Sequence, residues 1–182
     1  AFLILIQFNI KTIYLGLGSM ILAFSYPFMK RITYWPQLFL GLTFNWGIIM
    51  AWTAINNNIS FEIITLYISA IFWTLGYDTI YGVQDMEDDE IIGIKSTSIK
   101  FKKNIKFFVG MTYLLTSSIL IYLFKDMLGI NIFTTLLIFF ILSLVYQVVK
   151  FNKHEAKDCL DAFKFNNISG LILFLNIFSI NL

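Results

Sequence analysis

The fold of this chain is decided by one stretch, Gly76-Tyr77-Asp78-Thr79-Ile80-Tyr81-Gly82-Val83-Gln84-Asp85-Met86-Glu87-Asp88-Asp89-Glu90-Ile91-Ile92-Gly93-Ile94-Lys95-Ser96-Thr97. It directly follows the apolar run from Ile63 to Leu75, so a membrane-buried helix is expected to end in a cluster of acids. Six of the eleven acidic residues in the chain lie between Asp78 and Glu90. The stretch therefore combines the end of a membrane segment with more than half of the acidic groups.

The acids in this stretch have a helical phase. At about 100° per residue, a helix that continued through the stretch would place five side chains within an arc of roughly 100°, namely Asp78, Tyr81, Asp85, Asp88 and Asp89. Glu87 would point to the other side. Carboxylates held this close together repel one another, and removing them from water is costly. Either bulk water surrounds them, or a cation such as Mg²⁺ or Ca²⁺ holds them.

The composition predicts an all-α, polytopic membrane protein. Of the 182 residues, 58% are apolar and only 13% are charged, and several apolar runs reach about 18 to 22 residues. A soluble helical domain would spread its charges along amphipathic faces, whereas here the charges lie in short blocks. The lone cysteine allows no disulfide within the chain, and with the one histidine it provides no zinc site.

We predict six membrane spans, and we interpret residues 1–8 as the tail of another. The spans cover about residues 12–28, 36–55, 60–81, 105–124, 132–149 and 166–181. Pro27 disfavours helix at the preceding residue, so the first span should kink or stop near Tyr26. The third span is expected to continue as a helix into the acidic stretch. A charged, amphipathic segment precedes the last span, which is barely long enough to cross a bilayer.

Basic residues are distributed unevenly between the two sides of the predicted spans. Eleven of the thirteen lie in one set of alternate loops, and only Lys11 and Lys125 lie in the other set. The positive-inside rule places the richer side in the cytoplasm or its topological equivalent. The acidic stretch falls on the same side, and so do Lys30 and Arg31.

Acids and bases on one side of a membrane suit a particular ligand. Mg²⁺ usually keeps several waters and is held by a few carboxylates together with phosphate oxygens, while basic side chains neutralise the remaining phosphate charge. A diphosphate at a membrane surface indicates a lipid diphosphate, whose hydrocarbon tail would lie among the helices. Aromatic residues, which make up 18% of the chain, would line such a tail or stabilise a carbocation, although most of them are expected to serve ordinary packing.

Three segments resemble a known family. Residues 78–97 resemble the second Asp-rich motif of the UbiA superfamily of intramembrane aromatic prenyltransferases, and most closely the branch that prenylates 4-hydroxybenzoate in ubiquinone biosynthesis. The segment Tyr26-Pro27-Phe28-Met29-Lys30-Arg31, with Pro36-Gln37, is similar to one that follows an earlier helix in that branch. The C-terminal signature of the branch resembles Asp161-Ala162-Phe163, Asn166-Asn167 and Gly170-Leu171. The resemblance covers essentially the whole chain.

The resemblance implies a nine-helix bundle in a bacterial or mitochondrial inner membrane. Its central cavity, on the cytoplasmic or matrix side and capped there, would hold two Asp-rich motifs that bind Mg²⁺ and a polyprenyl diphosphate. The implied metal ligands are Asp85, Asp88 and Asp89. The implied contacts to the diphosphate are Tyr26, Lys30, Arg31 and Lys95. The implied catalytic residues are Asp78, Tyr81 and Arg31.

The implied reaction is an electrophilic aromatic substitution. Loss of the diphosphate would give an allylic cation, which the ring carbon next to the phenolic hydroxyl of 4-hydroxybenzoate attacks before a base removes a proton. Water must be excluded, because it would quench the cation. The implied partners are the polyprenyl diphosphate, 4-hydroxybenzoate and the lipid bilayer, with no nucleic acid.

One part of the family pattern is absent from the chain. The first Asp-rich motif, of the form Asn-Asp-x-x-Asp-x-x-x-Asp, should precede the first predicted span. We therefore interpret residues 1–182 as a single, N-terminally truncated transmembrane prenyltransferase domain, and we expect it to be inactive alone. The sequence leaves open whether it is a truncated gene product or is completed by a separate N-terminal fragment.

Three other interpretations deserve comparison. A phosphatidyl-alcohol transferase would need an Asp-Gly-x-x-Ala-Arg segment ahead of the acids, and the chain has none. A divalent-cation transporter fragment would favour acids near mid-membrane and paired broken helices, whereas these acids collect at one end of a span. A non-catalytic membrane fragment would use the acids only as a solvated loop. Binding of a prenyl diphosphate that requires Mg²⁺ would favour the prenyltransferase, whereas binding of the metal alone, with no effect of the diphosphate, would favour the transporter.

Overall fold

The computed structural model describes residues 2–181, and every regular element in this range is helical. The α-helices are α1 (Phe2–Leu5), α2 (Ile10–Ile32), α3 (Pro36–Phe44), α4 (Trp46–Asn56), α5 (Phe61–Tyr81), α6 (Met86–Ile91), α7 (Thr97–Lys100), α8 (Ile105–Leu123), α9 (Ile132–Lys150) and α10 (Ala156–Phe178). Five segments are long and apolar enough to cross a membrane, namely α2, α3 with α4, α5, α8 and α9. The prediction of an all-α, polytopic membrane bundle is confirmed.

Helix α2 is longer than predicted at its C-terminal end. It begins after Asn9, whose Oδ1 accepts a 3.0 Å hydrogen bond from the backbone N–H of Thr12. The helix then continues through Pro27 to Ile32, so of the two predicted outcomes, a kink or a stop near Tyr26, the stop is wrong. A proline costs a helix one hydrogen bond, but membrane helices tolerate this loss. As a result, Lys30 lies in the last turn of a helix rather than in a loop.

The second span consists of two helices that meet at Asn45. The Asn45 side-chain amide donates to Gly41 O at 2.9 Å, to Ala70 O at 3.3 Å and to Thr74 Oγ1 at 2.7 Å. The last two acceptors belong to α5, so this amide joins the broken span to its neighbour. The sequence predicted one unbroken helix over this span. Hydropathy does not show that a polar side chain, here Asn45, forms its hydrogen bonds with another helix.

Helix α5 lies at the centre of the bundle and packs against α3, α8 and α10. Helices α5 and α8 approach each other closely at Gly76, where an added Cβ would collide with the ring of Tyr113. Tyr113 in turn donates a 2.7 Å hydrogen bond to Gln147 on α9, and Gln147 donates a 2.9 Å bond to Ser169 on α10. All three of these polar side chains are buried, so the bonds fix the arrangement of α8, α9 and α10 where water does not compete.

The C-terminal segment differs from the prediction. We expected an amphipathic segment over residues 150–165 and a separate span over residues 166–181. Instead, one helix, α10, runs from Ala156 to Phe178. It is not among the five segments apolar enough to cross a membrane on hydropathy alone. Charged side chains and asparagines dilute the apolar residues of α10, and part of its polar content is used within the bundle, as Ser169 illustrates.

Candidate functional site

The acidic stretch does not continue helix α5. The helix ends at Tyr81, Gly82 forms its C-terminal cap, and residues 82–85 form a turn before α6. The single helical arc that we predicted for five side chains is therefore wrong. The N–H of Gly82 still makes a helical bond to Asp78 O at 2.9 Å, but the N–H groups of Val83 and Gln84 bond only three residues back, to Ile80 O and Tyr81 O at 3.2 Å, before α6 begins at Met86. The turn decides which acids face inwards.

A small cavity of about 80 Å³ lies beside this turn. Helix α2, the start of α3, the end of α5 and the α6 region each contribute to its wall. The residues that line it are Tyr26, Lys30, Pro36, Gln37, Asp78, Tyr81, Gly82, Asp85 and Asp89. Six of the nine residues for which the sequence predicted a role are thus brought together around one cavity, namely Tyr26, Lys30, Asp78, Tyr81, Asp85 and Asp89.

Three carboxylates line the cavity together with one ammonium group. Asp89 is the most buried of the acids, with 9% of its surface exposed, whereas Asp85 is exposed and Asp78 is half-buried. Within residues 2–181, the one direct ion pair joins Lys102 to Glu90 at 2.7 Å, away from the cavity. Lys30 therefore faces the three acids without pairing with any of them. The cavity carries negative charge that an added cation would neutralise.

The other three predicted site residues lie outside the cavity wall. Asp88 points to solvent from α6, and Arg31 is exposed at the end of α2. Lys95 is half-buried, and its ammonium group donates to Ile32 O at 3.3 Å and lies 5.7 Å from the ring centre of Tyr34. These contacts hold Lys95 against the end of α2, beside the cavity rather than in it.

Gln37 was not predicted as a site residue, although it lines the cavity. Only 4% of its surface is exposed, and its Oε1 accepts a 2.9 Å hydrogen bond from the backbone N–H of Thr97. A Cβ added at Gly82 would come within 3.2 Å of Gln37 Nε2 and 2.7 Å of Ser98 Oγ. Gln37 therefore joins α3 to the segment that follows the acids. The sequence did contain one signal for a role of Gln37: it directly follows Pro36, in a segment that resembles the family.

The segment after the acids is folded back onto α2 and α5. Gly93 has a φ of +74°, in the left-handed region that favours glycine, and it reverses the chain after α6. The N–H of Ile94 then bonds to Asp89 O at 2.9 Å, and the N–H of Lys95 bonds to Lys30 O at 2.8 Å. These backbone bonds fix the end of α6 and bring the segment next to the end of α2. The position of Asp89 therefore depends on residues well beyond the acids.

Aromatic side chains lead away from the cavity into the bundle. The ring of Tyr81, at the cavity wall, lies 4.7 Å from that of Phe163 on α10, and Phe163 lies 5.9 Å from Tyr77. The contacts continue from Tyr77 to Trp73 at 6.1 Å and from Trp73 to Phe140 at 5.2 Å. This row of rings lies between α5, α9 and α10, and it connects a polar cavity with apolar surroundings.

The donor set of the cavity fits one kind of metal site. Within the described part of the chain, no three acidic, histidine or cysteine side chains come together closely enough to hold an ion by themselves. Mg²⁺, however, is usually bound by one or two carboxylates plus waters and phosphate oxygens. Asp85 and Asp89 provide two carboxylates of the kind that Mg²⁺ needs. Lys30, in the same cavity wall, provides an ammonium group that can neutralise phosphate charge.

Comparisons with known proteins agree with this architecture. The model of the UbiA prenyltransferase family matches residues 1–171, and the chain belongs to this family. It is 40% identical over 181 residues to the human mitochondrial 4-hydroxybenzoate polyprenyltransferase, covering 96% of this chain and 47% of that protein. It is 39% identical over 179 residues to the 4-hydroxybenzoate octaprenyltransferase of Vibrio vulnificus, covering 98% of this chain and 63% of that protein.

The fold has also been seen in a solved structure. The apo structure of a UbiA homolog from Aeropyrum pernix K1 superposes with a TM-score of 0.78, at 19% identity, over 98% of this chain and 67% of that one. This likeness confirms the fold of a UbiA bundle. The chain spans about half the length of the mitochondrial relatives that it matches, at 47% of the human protein.

Proposed function

We propose that the protein transfers a polyprenyl group from a polyprenyl diphosphate to the ring of 4-hydroxybenzoate, with Mg²⁺, as one step of ubiquinone biosynthesis. One observation carries the proposal: Asp78, Asp85, Asp89 and Lys30 line one cavity at the end of the central helix. The relatives named for this reaction in animals and bacteria supply the substrate class. We further propose that the cavity faces the cytoplasm or the mitochondrial matrix, because the basic loops lie at the same end of the bundle.

The charged side chains in and beside the cavity have roles that follow from the sign of their charge. Bound Mg²⁺ would supply positive charge to the leaving diphosphate, and Asp85 and Asp89 would hold it. Lys30 neutralises a further part of the diphosphate charge from the opposite wall. Arg31 and Lys95 flank Lys30 on the outside and add positive charge where the diphosphate would enter. Asp88, which faces solvent, is assigned no contact with the metal.

The reacting carbon would lie between the aromatic rings and the acids. The faces of Tyr26 and Tyr81 attract the positive charge that develops as the allylic bond breaks. Asp78, half-buried beside both rings, accepts the ring proton or orients the phenol of 4-hydroxybenzoate. The prenyl tail would follow the row of rings from Tyr81 towards Trp73.

A binding measurement tests the proposal most directly. The purified protein is placed in lipid nanodiscs, and binding of fluorescent farnesyl diphosphate is titrated with and without Mg²⁺. We expect binding of farnesyl diphosphate that requires the metal, because the carboxylates of the cavity hold the diphosphate through Mg²⁺. Metal binding that is unaffected by the diphosphate would contradict the proposal and favour a divalent-cation transporter.

A further inference from the structure

A second cleft, with lysines in its lining, lies at the same end of the bundle, away from the acidic cavity. It has a volume of about 260 Å³ and is formed where α8 begins and where the chain passes from α9 to α10. The residues that line it are Lys103, Asn104, Ile105, Lys106, Phe107, Asn152, Lys153 and His154. None of them lines the acidic cavity. The lining contains three ammonium groups and no carboxylate, so the cleft is strongly positive.

The cations of this cleft are held in place without being neutralised. The ammonium of Lys106 donates to Val149 O at 3.4 Å, and that of Lys153 donates to Lys102 O at 3.5 Å. Both acceptors are neutral carbonyls, so each lysine keeps its full charge. The first turn of α8 also faces the cleft, and the Asn104 side chain forms no capping hydrogen bond there. The backbone N–H groups of that turn add to the positive potential.

An apolar groove begins where the cleft ends. It has a volume of about 230 Å³ and runs between α8 and α9, lined by residues that include Gly110, Leu114, Val145 and Val149. Leu114 and Val145 have 57% and 52% of their surface exposed, so the groove reaches the outer face of the bundle. The contact between Lys106 and Val149 joins the cleft and the groove, because the first residue lines the cleft and the second lines the groove.

We propose that α8 and α9 hold one anionic phospholipid, with its phosphate headgroup in the basic cleft and an acyl chain in the apolar groove. Basic pockets between membrane helices bind anionic headgroups in general, and here the pocket lies at the level where the chain leaves the membrane. An inorganic anion would use the cleft but not the groove, and a zwitterionic lipid would use the groove without needing three lysines. An anionic lipid matches both.

Native mass spectrometry of the purified protein tests the headgroup contact. Phosphatidylglycerol and phosphatidylcholine with identical acyl chains are titrated against the protein, and the fraction that carries one lipid is measured. We expect phosphatidylglycerol to bind about tenfold more tightly. The double variant Lys106→Gln/Lys153→Gln should lose this preference. The matched control Lys11→Gln/Lys125→Gln removes the same charge from the opposite end of the bundle and should keep it.

A second variant tests the groove separately. A Cβ at Gly110 would meet nothing within 4 Å, so Gly110→Leu fills the groove without a backbone clash. It should weaken both lipids about tenfold while leaving the headgroup preference intact. Gly47, which also has open space around it, gives the control Gly47→Leu. Circular dichroism before the titration shows that each variant is folded.

Three outcomes would overturn the proposal. The first is a phosphatidylglycerol preference that survives Lys106→Gln/Lys153→Gln. The second is displacement of the lipid by inorganic phosphate together with unchanged binding in Gly110→Leu, which would leave only an anion cleft. The third is stoichiometric displacement by farnesyl diphosphate, which would make the groove part of the substrate site.

Discussion

The side chain of Gln37 accepts a 2.9 Å hydrogen bond from the backbone N–H of Thr97, a residue 60 positions further along the chain. Both residues are buried, with 4% and 0% of their surface exposed. This bond fastens the segment that follows the acids to the start of α3. Because the same segment holds the end of α6, the geometry of the acids depends on a neutral residue that belongs to a different span.

Gln37→Leu should therefore destabilise the protein and weaken its ligand binding together. The substitution leaves the N–H of Thr97 buried without an acceptor, which costs about 1–3 kcal/mol of unfolding free energy. Binding of farnesyl diphosphate with Mg²⁺ should fall as well, because the α6 segment loses an anchor. Thermal unfolding and the nanodisc titration measure the two effects. The control Gln147→Leu breaks buried bonds of a residue that does not line the cavity, and it should lower stability while sparing binding. Equal loss of binding in both variants would contradict the assignment.

Removal of either cavity-lining acid of the α6 region should abolish metal-dependent binding. Asp85→Asn and Asp89→Asn keep the size of the side chain but remove a metal ligand, and affinity for the diphosphate with Mg²⁺ should drop more than about a hundredfold. Glu87→Gln and Asp88→Asn remove solvent-facing acids of the same short helix and should change affinity less than about twofold. A large loss in Asp88→Asn would show that α6 rotates when the ligand binds.

Gly82→Ala should disturb the cavity without removing any charge. The added methyl group would lie 2.7 Å from Ser98 Oγ and 3.2 Å from Gln37 Nε2, so the segment after the acids has to move. We expect a loss of unfolding free energy of about 1–3 kcal/mol and weaker diphosphate binding. Gly47→Ala adds the same methyl group where nothing lies within 4 Å and should have neither effect. Hydrogen exchange of residues 82–97 would locate the disturbance.

Cys159 should react very slowly with thiol reagents. Burial, with a further contribution from Asp158, raises the pKa of its thiol to about 11, and the group donates a 3.3 Å hydrogen bond to Asn152 O. The thiolate is the reactive form, so maleimide labelling at pH 8 should be about two orders of magnitude slower than for an exposed cysteine. The rate should rise about tenfold per pH unit below the pKa. The variant His154→Cys/Cys159→Ser, with an exposed thiol in the same region, should label fast; rapid labelling of Cys159 itself would mean that the start of α10 opens.

The positions of most spans could be predicted because hydropathy acts over about 20 residues and does not depend on neighbours. The starts of α8 and α9, at Ile105 and Ile132, coincide with the predicted ones. The break at Asn45 and the continuation through Pro27 could not be predicted in the same way. Both depend on whether neighbouring helices satisfy the backbone groups that lose their helical hydrogen bonds, and a single sequence does not contain that information.

The composition of the site could be predicted better than its geometry. Acids concentrated at the end of a span, with basic residues on the same side, indicated a cation and a phosphate ligand, and the predicted Asp78, Asp85 and Asp89 do line one cavity. Their arrangement was derived from a continuous helix, which the turn after Tyr81 replaces. The four turn residues between α5 and α6 do not change the spacing of the acids along the sequence, so the turn could not be recognised from that spacing. The prediction therefore placed Asp88 with the metal-binding acids, whereas in the structure Asp88 is exposed and does not line the cavity.

The break at Asn45 has a consequence for the order in which the membrane protein is assembled. During synthesis, the Asn45 amide has an acceptor in its own span, Gly41 O, but Thr74 emerges 29 residues later. At about 5–20 residues per second, this delay lasts roughly 1.5 to 6 seconds. The second span therefore leaves the ribosome with only one of these acceptors for its Asn45 amide, and the bonds to Ala70 O and Thr74 Oγ1 form only after the third span has been made.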